Sequence, residues 1–404
     1  MSRKTVKLED ICVSISDGDH QAPPKVNKGI PFITISNIDN LNKIDFSNVM
    51  YVPDNYYDGL DTKRKPQKND ILYSVVGTFG KPVYIDNDDK FVFQRHIAIL
   101  RPNLEKIVPK FLYHIMLSRE FYAQADTLAI GAAQRTISLT ALRKMKVDIP
   151  SLEMQNKITS ILAKYDDLIA NNNKRIKILE KMAENLYQEW FVRFRFPEYE
   201  TAEFVDGVPK GWKREHIEYF YDTSSGGTPS RSNERNYIDG TIPWIKTGEI
   251  KDTIIVDTDE HITDLALKNS SAKLFPKDTV IMAMYGVNIG KLGYLGDNMA
   301  CNQAACVFVD KSTINSKHYL FQLLKSMREY LLNIGFGAAQ QNLSQQLINK
   351  IKITMPDKFI LELFEDAIEP MYQSIKILNK QNQNLIKQRD YLLPRLMSGK
   401  LQVK

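Results

Sequence analysis

A few clusters in this 404-residue chain hold residue types from which catalysis can be built. Gly286-Val287-Asn288-Ile289-Gly290-Lys291-Leu292 resembles a phosphate-cradling loop, in which backbone N–H groups and a lysine hold a nucleotide. Its spacing is one residue short, and Leu292 stands where a Ser or Thr would hold magnesium, so a tight turn is expected. Glu249-Ile250-Lys251 with Asp239 upstream has the side chains of a metal nuclease, yet the matching region nearer the N-terminus lacks them. Asp17, Asp19 and His20 could hold a cation, but a turn stabilised by aspartate side chains is the commoner outcome. Cys301 and Cys306 have no His or Cys partners at zinc spacing, and Cys12 stands apart from them. No glycine-rich fingerprint follows a strand and opens a helix. Nor does the chain contain the Asn-Pro-Pro-aromatic tetrapeptide expected of an enzyme that methylates a base amino group. The expectation is a chain without an active site, cofactor or bound metal.

The remaining chemistry is that of surface loops. A net charge of +6 and a pI near 8.8 permit nucleic-acid binding without demanding it. Position is more telling than balance. Lysines and arginines fall in small-residue loops such as Ser225-Gly226-Gly227-Thr228-Pro229-Ser230-Arg231, where a side chain can approach a phosphate or a base edge. With 43% hydrophobic and 25% charged residues, the chain can bury two cores of about 150 residues each plus helices. No run of about 18 apolar residues occurs, and MSRKTVKLED lacks the apolar centre of a signal peptide, which makes a cytoplasmic protein the expectation.

The elements that must carry these loops are written twice. Residues 131–138 read GAAQRTIS and residues 337–344 read GAAQQNLS, an offset of 337 − 131 = 206. Pro150 and Pro356 are again 356 − 150 = 206 apart, each preceded by a short β-forming run. Upstream, Asn69-Asp70 leads into Gly77 and Gly80-Lys81, as Lys277-Asp278 leads into Gly286 and Gly290-Lys291. Two copies of a β-rich head followed by a long helix imply a pseudo-twofold internal repeat. Matching strands are expected at Ile30–Ile35 and Ile242–Lys246, at Asp70–Val76 and Thr279–Tyr285, and at Phe91–Phe93 and Ala304–Phe308. An amphipathic helix follows in each head, near Phe111–Tyr122 and Tyr319–Leu332. The loops differ where the scaffolds agree: Asp17-Gly18-Asp19-His20-Gln21-Ala22-Pro23-Pro24 stands opposite Gly226-Gly227-Thr228-Pro229-Ser230-Arg231, as in two readers of different sequences.

After each proline comes a heptad-like seam: Ile161, Tyr165, Leu168, Ile176, Leu179, Ala183, Leu186 and Trp190 in the first stretch, Leu361, Phe364, Ile368, Met371, Ile375, Leu378, Asn382 and Leu385 in the second. Each suffices for a helix of roughly 50 to 60 Å, and the two should pack on each other. From Pro150 to Ile176 is 26 residues and from Pro356 to Ile375 is 19, so the second stretch lacks 26 − 19 = 7, one heptad. Such a deletion keeps the stripe in phase and shortens the rod by about 10 Å. Pro370 removes a backbone donor, predicting a kink or a fresh helix start. Asn171, Asn172, Asn173, Asn379, Asn382 and Asn384 are poor helix formers; exposure is their ordinary fate, though a buried seam asparagine would fix the register of the pair.

In this order, the sequence resembles the specificity subunit of a type I restriction-modification system over essentially its whole length. The resemblance rests on Asp17-Gly18-Asp19-His20, the paired GAAQ segments with Ile149-Pro150 and Met355-Pro356, and Leu186-Tyr187-Gln188-Glu189-Trp190-Phe191. It rests also on Pro209-Lys210-Gly211-Trp212 and the ending Leu392-Leu393-Pro394-Arg395-Leu396-Met397-Ser398-Gly399-Lys400-Leu401. It implies an α+β fold with two similar target-recognition domains, at 1–150 and 196–356. Helical spacer segments at 151–195 and 357–404 would form an antiparallel coiled coil that measures the untouched spacer of a bipartite DNA site. It also implies a non-catalytic role without cofactors. The partners would be double-stranded DNA, two modification subunits that methylate adenine, and restriction subunits that cleave at the expense of ATP. The missing heptad departs from perfect internal symmetry and predicts a pair skewed or frayed at one end.

Base readout needs side chains that make paired hydrogen bonds in the major groove. The candidate DNA-binding residues are His20, Gln21, Lys25, Thr78, Lys81, Arg95 and Arg135 in the first head. In the second they are Thr228, Ser230, Arg231, Lys246, Asn288, Lys291, Gln303 and Gln340. Gln134 and Gln340 recur in both GAAQ copies, which suits a phosphate contact or a turn better than base discrimination. A two-headed scaffold for an acidic protein partner is the alternative, and a methyltransferase or nuclease with an unrecognised site is a third reading.

Overall fold

The computed structural model describes residues 3–18, 20, 23–39, 42–77, 79–131, 135–311, 316–335, 342–398 and 400–401. These divide into two compact units, residues 1–169 with 384–404, and residues 170–383.

In the first unit, a sheet orders Cys12–Asp17, Ile97–Pro102, Ile71–Ser74 and Pro82–Tyr84 as antiparallel neighbours. A smaller sheet sets Ile30–Ile33 between Met50–Val52 and Val92–Phe93, the last pair parallel. Leu72, Phe91, Phe93, Ile97 and Ile99 form one apolar core, while Ile71, Tyr73 and Leu100, on the other face of the same strands, pack with Phe111, Leu112 and Phe121. The alternation places successive residues of a strand in different cores, as a sheet covered on both sides requires.

The second unit repeats this plan. Tyr221–Ser225, Ala305–Asp310, Val280–Ala283 and Leu292–Leu295 form the larger sheet, extended by Thr253–Ile255; Ile242–Ile245 lies between His261–Ile262 and Met299–Cys301, again parallel to the latter. The structural partner of Val92–Phe93 is therefore Met299–Cys301, and Ala305–Asp310 corresponds to Ile97–Pro102. Matching Phe91–Phe93 with Ala304–Phe308 by sequence was one strand out, because both runs are short, buried and apolar.

Each head is closed by its own ends. Lys4–Lys7 pairs antiparallel with Lys146–Ile149, and Lys213–His216 with Lys352–Met355, so the strands just before Pro150 and Pro356 have the same role. The amphipathic helix expected in each head is split. Pro109–Leu117 gives way to Arg119–Leu128 at Ser118, whose hydroxyl accepts from the Phe121 N–H, and Lys317–Ser326 breaks at Met327 before Arg328–Gly335.

The long helices span Leu152–Tyr187 and Lys358–Ser398. Of the kink or fresh start that Pro370 predicts, no fresh start occurs: the second helix continues through it. Ile360, Leu361, Phe364, Ile368, Tyr372, Ile375 and Leu378 are all buried along it, and this apolar face outweighs one lost hydrogen bond. Nor is it the shorter rod: the first runs on through a π-helical turn, Gln188–Val192, so the helical runs 152–192 and 358–398 are each 41 residues long, 36 + 5 against 41. In the second unit the helices are antiparallel, with Asn172 beside Asn382 and Trp190 against Phe364, ring centroids 5.7 Å apart. In the first unit Leu393 and Leu396 join Ile158 and Leu162 in the core, and Arg389 Nη1 meets Asp166 Oδ1 at 2.9 Å.

Candidate nucleic-acid interface

In both heads a glycine turn is closed by the same bonds. Gly77 and Gly80 have φ of 71° and 89°, and Gly286 and Gly290 have 79° and 73°, a backbone region that side chains disfavour. The Gly80 N–H donates to the Ser74 carbonyl (2.9 Å) and the Ser74 N–H to the Lys81 carbonyl (3.1 Å); Gly290, Ala283 and Lys291 repeat this at 2.9 and 2.9 Å. Lys81 and Lys291 thus stand at one structural position, both half-buried. The stretch after each GAAQ segment docks on the same turn, the Ile137 N–H on the Val75 carbonyl (2.9 Å) and the Leu343 N–H on the Met284 carbonyl (3.0 Å). The nucleotide-loop resemblance of Gly286–Lys291 is accordingly a glycine turn shared by both heads. Gln21, Thr78 and Gln340, with Asp19 and Gln134, lie outside the described residues.

Arg95 and Gln303 form a second matched pair. Each sits between a residue whose N–H bonds the neighbouring strand (Gln94 to Ile33, Asn302 to Ile245, both 3.0 Å) and one whose carbonyl accepts from the glycine-turn strand (His96 from Val75, Ala304 from Met284, both 2.9 Å). Both side chains are exposed. Thr34 and Lys246 form a third pair: their N–H groups donate to Asn37 Oδ1 (2.9 Å) and Glu249 Oε2 (2.8 Å) at the start of equivalent short 3-10 turns. Glu249 also accepts from the Asp259 N–H at 2.8 Å, so the carboxylate suspected of metal chemistry is a backbone cap.

The second head gathers four of its candidates into two groups. Thr228 Oγ1 donates to Gln303 Oε1 at 2.5 Å. Glu260 takes Arg231 Nη1 on one oxygen at 2.6 Å and Lys246 Nζ on the other at 2.9 Å. The guanidinium of Arg231 also lies over Tyr237 and Trp244, at 4.5 and 5.3 Å from the ring centroids. The ion pair with Arg231 and the hydrogen bond from Lys246 hold the Glu260 carboxyl below its ordinary range, and Glu260 in turn holds both cations above theirs. The loop beneath is tightly fitted. A Cβ on Gly226 would lie 1.9 Å from the Cys301 carbonyl oxygen, Trp244 Nε1 donates to the Gly227 carbonyl at 3.0 Å, and the Tyr237 hydroxyl donates to that of Pro229 at 2.6 Å.

Other candidates stand apart. Ser230 Oγ lies 2.8 Å from Ser232 Oγ. Asn288 donates its amide to the carbonyls of Thr247 (3.0 Å) and Gly248 (3.2 Å), bracing a loop. In the first head, His20 Nε2 meets Asp17 Oδ2 at 2.7 Å, Lys25 is exposed, and Arg135 is tied to Asp126 at 2.7 Å while lying 5.8 Å from the Phe79 ring. Burial pushes the thiols of Cys12, Cys301 and Cys306 up to about 12, leaving them protonated and unreactive. Sequence reading missed Glu260, Tyr237 and the match of Thr34 with Lys246. Glu260 sits in an acidic stretch, Asp257-Thr258-Asp259-Glu260, that gave no sign of which cations it meets.

A duplicated head with one scaffold, different side chains at matched loop positions, and antiparallel helical segments defines a two-headed recognition protein. The family described as "Type I restriction modification DNA specificity domain" matches twice, at residues 3–181 and 209–388. The type I restriction enzyme MjaIX specificity subunit of Methanocaldococcus jannaschii is 28% identical over 316 residues, covering 74% of this chain and 70% of that protein. The HindI specificity subunit of Haemophilus influenzae is 26% identical, covering 98% of this chain and 99% of that one. In fold, the chain is similar to the crystal structure of a type I restriction-modification S subunit from M. genitalium, with a TM-score of 0.53 at 15% identity, covering 98% and 96% of the two chains. The chain belongs to the type I restriction-modification DNA specificity family, as a non-catalytic specificity subunit. Among the described residues, no helix is long and apolar enough to cross a membrane.

Proposed function

We propose that this chain is the sequence reader of a cytoplasmic type I complex, recognising a bipartite double-stranded DNA target with a fixed, unread spacer. Residues 1–150 and 196–356 serve as target-recognition domains, one per half-site, and residues 151–195 and 357–404 set the spacer. Two modification subunits bind the chain and methylate adenine where it directs them; restriction subunits supply ATP-dependent cleavage. The DNA contacts come from His20, Gln21, Lys25, Thr78, Lys81, Arg95 and Arg135 on one half-site. Those on the other come from Thr228, Ser230, Arg231, Lys246, Asn288, Lys291, Gln303 and Gln340.

The observation that carries this reading is the pairing of Arg95 with Gln303 and of Thr34 with Lys246: identical backbone settings present different hydrogen-bonding groups. A scaffold that merely bound one partner twice would have no need for such divergence. The test is base-resolution adenine-methylation mapping of DNA from cells expressing the chain with its modification subunit, against cells expressing that subunit alone. A new bipartite motif is expected only with the chain; a stable complex that yields none overturns the proposal.

A further inference from the structure

We propose that Glu260 is a positioning residue, which holds Arg231 and Lys246 as a single preformed reader of a G·C pair in the second half-site. The inference rests on the DNA-reading role proposed above and goes beyond it by assigning a base and the residue that orders its readers.

Glu260 is itself firmly placed. Its carbonyl accepts from the Trp244 N–H at 3.0 Å and from Thr258 Oγ1 at 2.7 Å, so the backbone that carries the carboxylate is pinned to the edge of the small sheet. Its two oxygens then take one cation each, at 2.6 and 2.9 Å. Arg231 is constrained twice over: Nη1 by the carboxylate, and the guanidinium by the faces of Tyr237 and Trp244. Yet 56% of its side chain remains open to solvent. A guanidinium has five N–H donors in a rigid fork, and one ion pair leaves most of them available. Guanine, with N7 and O6 acceptors side by side in the major groove, is the base such a fork reads, and a lysine can share that edge. Fixing both side chains before binding removes the rotamer entropy that long basic residues lose when they dock. The carboxylate also cancels one of the two positive charges, which directs the pair toward a specific edge rather than toward any phosphate.

Methylation mapping with Glu260→Ala, Glu260→Asp and Arg231→Lys in the full chain, each expressed with the modification subunit, tests the assignment. Glu260→Ala is expected to relax one G·C position of the second half-site, leaving the first half-site and the spacer unchanged. Purified complexes should lose discrimination against an A·T replacement there by roughly ten- to hundredfold. Arg231→Lys, which keeps the charge but loses the fork, should relax the same position, and Glu260→Asp should retain part of the discrimination. An unchanged motif, a relaxed position in the first half-site, or one that is not G·C in the wild type overturns the inference. A wild-type chain that directs no bipartite motif overturns instead the DNA-reading role on which it rests. If Glu260→Ala does not accumulate, Glu260→Asp and Arg231→Lys together decide: both must weaken discrimination at the same G·C position, and an unchanged motif from Glu260→Asp overturns the inference.

Discussion

Asn172 and Asn382 face one another inside the helical pair of the second unit, each only 7% exposed, with Asn172 Nδ2 donating to Asn382 Oδ1 at 3.0 Å. The Asn382 amide donates onward to Asn173 Oδ1 at 2.8 Å. An amide pair in an otherwise apolar seam favours one alignment, because sliding either helix would leave the groups buried without partners.

Asn172→Ala or Asn382→Ala alone should therefore destabilise the chain by about 1 to 3 kcal/mol, the cost of stranding the remaining amide. Replacing both by leucine should restore or raise stability, since an apolar pair leaves nothing unsatisfied. Urea melts of the two single alanine variants and the double alanine variant measure the coupling, and strictly additive losses would contradict it.

DNA binding should be steeply salt-dependent. If each complex neutralises about six to ten phosphates, affinity should fall by about 10³ to 10⁵ between 50 and 200 mM salt. Lys81→Ala and Lys291→Ala, altered at equivalent positions, should each weaken binding to all duplexes alike and lower the log–log salt slope by about one. Fluorescence anisotropy against specific and random duplexes measures both, and a flat salt response would favour an acidic protein partner instead.

Arg95→Ala and Gln303→Ala should behave differently from the lysine variants. Each is expected to relax only its own half-site, by about 1 to 3 kcal/mol for a base contact. Binding competition with duplexes substituted in one half at a time reads this directly; equal losses at both halves from either variant would count against distinct readers.

His114 predicts acid sensitivity. The ring is 1% exposed, neither nitrogen has a hydrogen-bond partner among the described residues, and Asp166 Oδ2 lies 3.4 Å away. Burial pulls its pKa down to about 4, aided by Arg389 and Lys110 and opposed by Asp166. Between that value and the unfolded value near 6.5, the unfolded chain binds more protons, so stability is full above about 6.5 and falls as the pH drops toward 4. The contribution is on the order of 3 kcal/mol. His114→Leu should flatten this part of the pH–stability curve, as followed by thermal melts from pH 7 to 4.

The duplication, the heptad seams and the glycine turns were legible because each is a local pattern: a repeated string, a spacing of three and four, or a residue type that backbone geometry demands. Helix continuity through Pro370 was not, since proline's local penalty is visible in sequence and the tertiary burial of Phe364, Ile368 and Tyr372 that overrides it is not. Asn172 and Asn382 read as surface residues for the same reason: burial depends on a partner 210 positions away. Within the interface, the basic residues could be nominated by type and loop, but Glu260 is separated by a strand from Lys246 and by two from Arg231, and nothing local joins them. The equivalence of Arg95 and Gln303 likewise came from hydrogen bonds, because their side chains share nothing.

The ladders of Lys4–Lys7 with Lys146–Ile149 and of Lys213–His216 with Lys352–Met355 bring strands near the two ends of each head side by side. The loops that differ between the two heads are threaded between two adjoining ends, so a head with the same terminal strands could replace either one without altering the register of the other ladder. Under the proposed reading, recombination at these borders would exchange a whole half of the recognised target in one event, whereas point substitution must change it letter by letter.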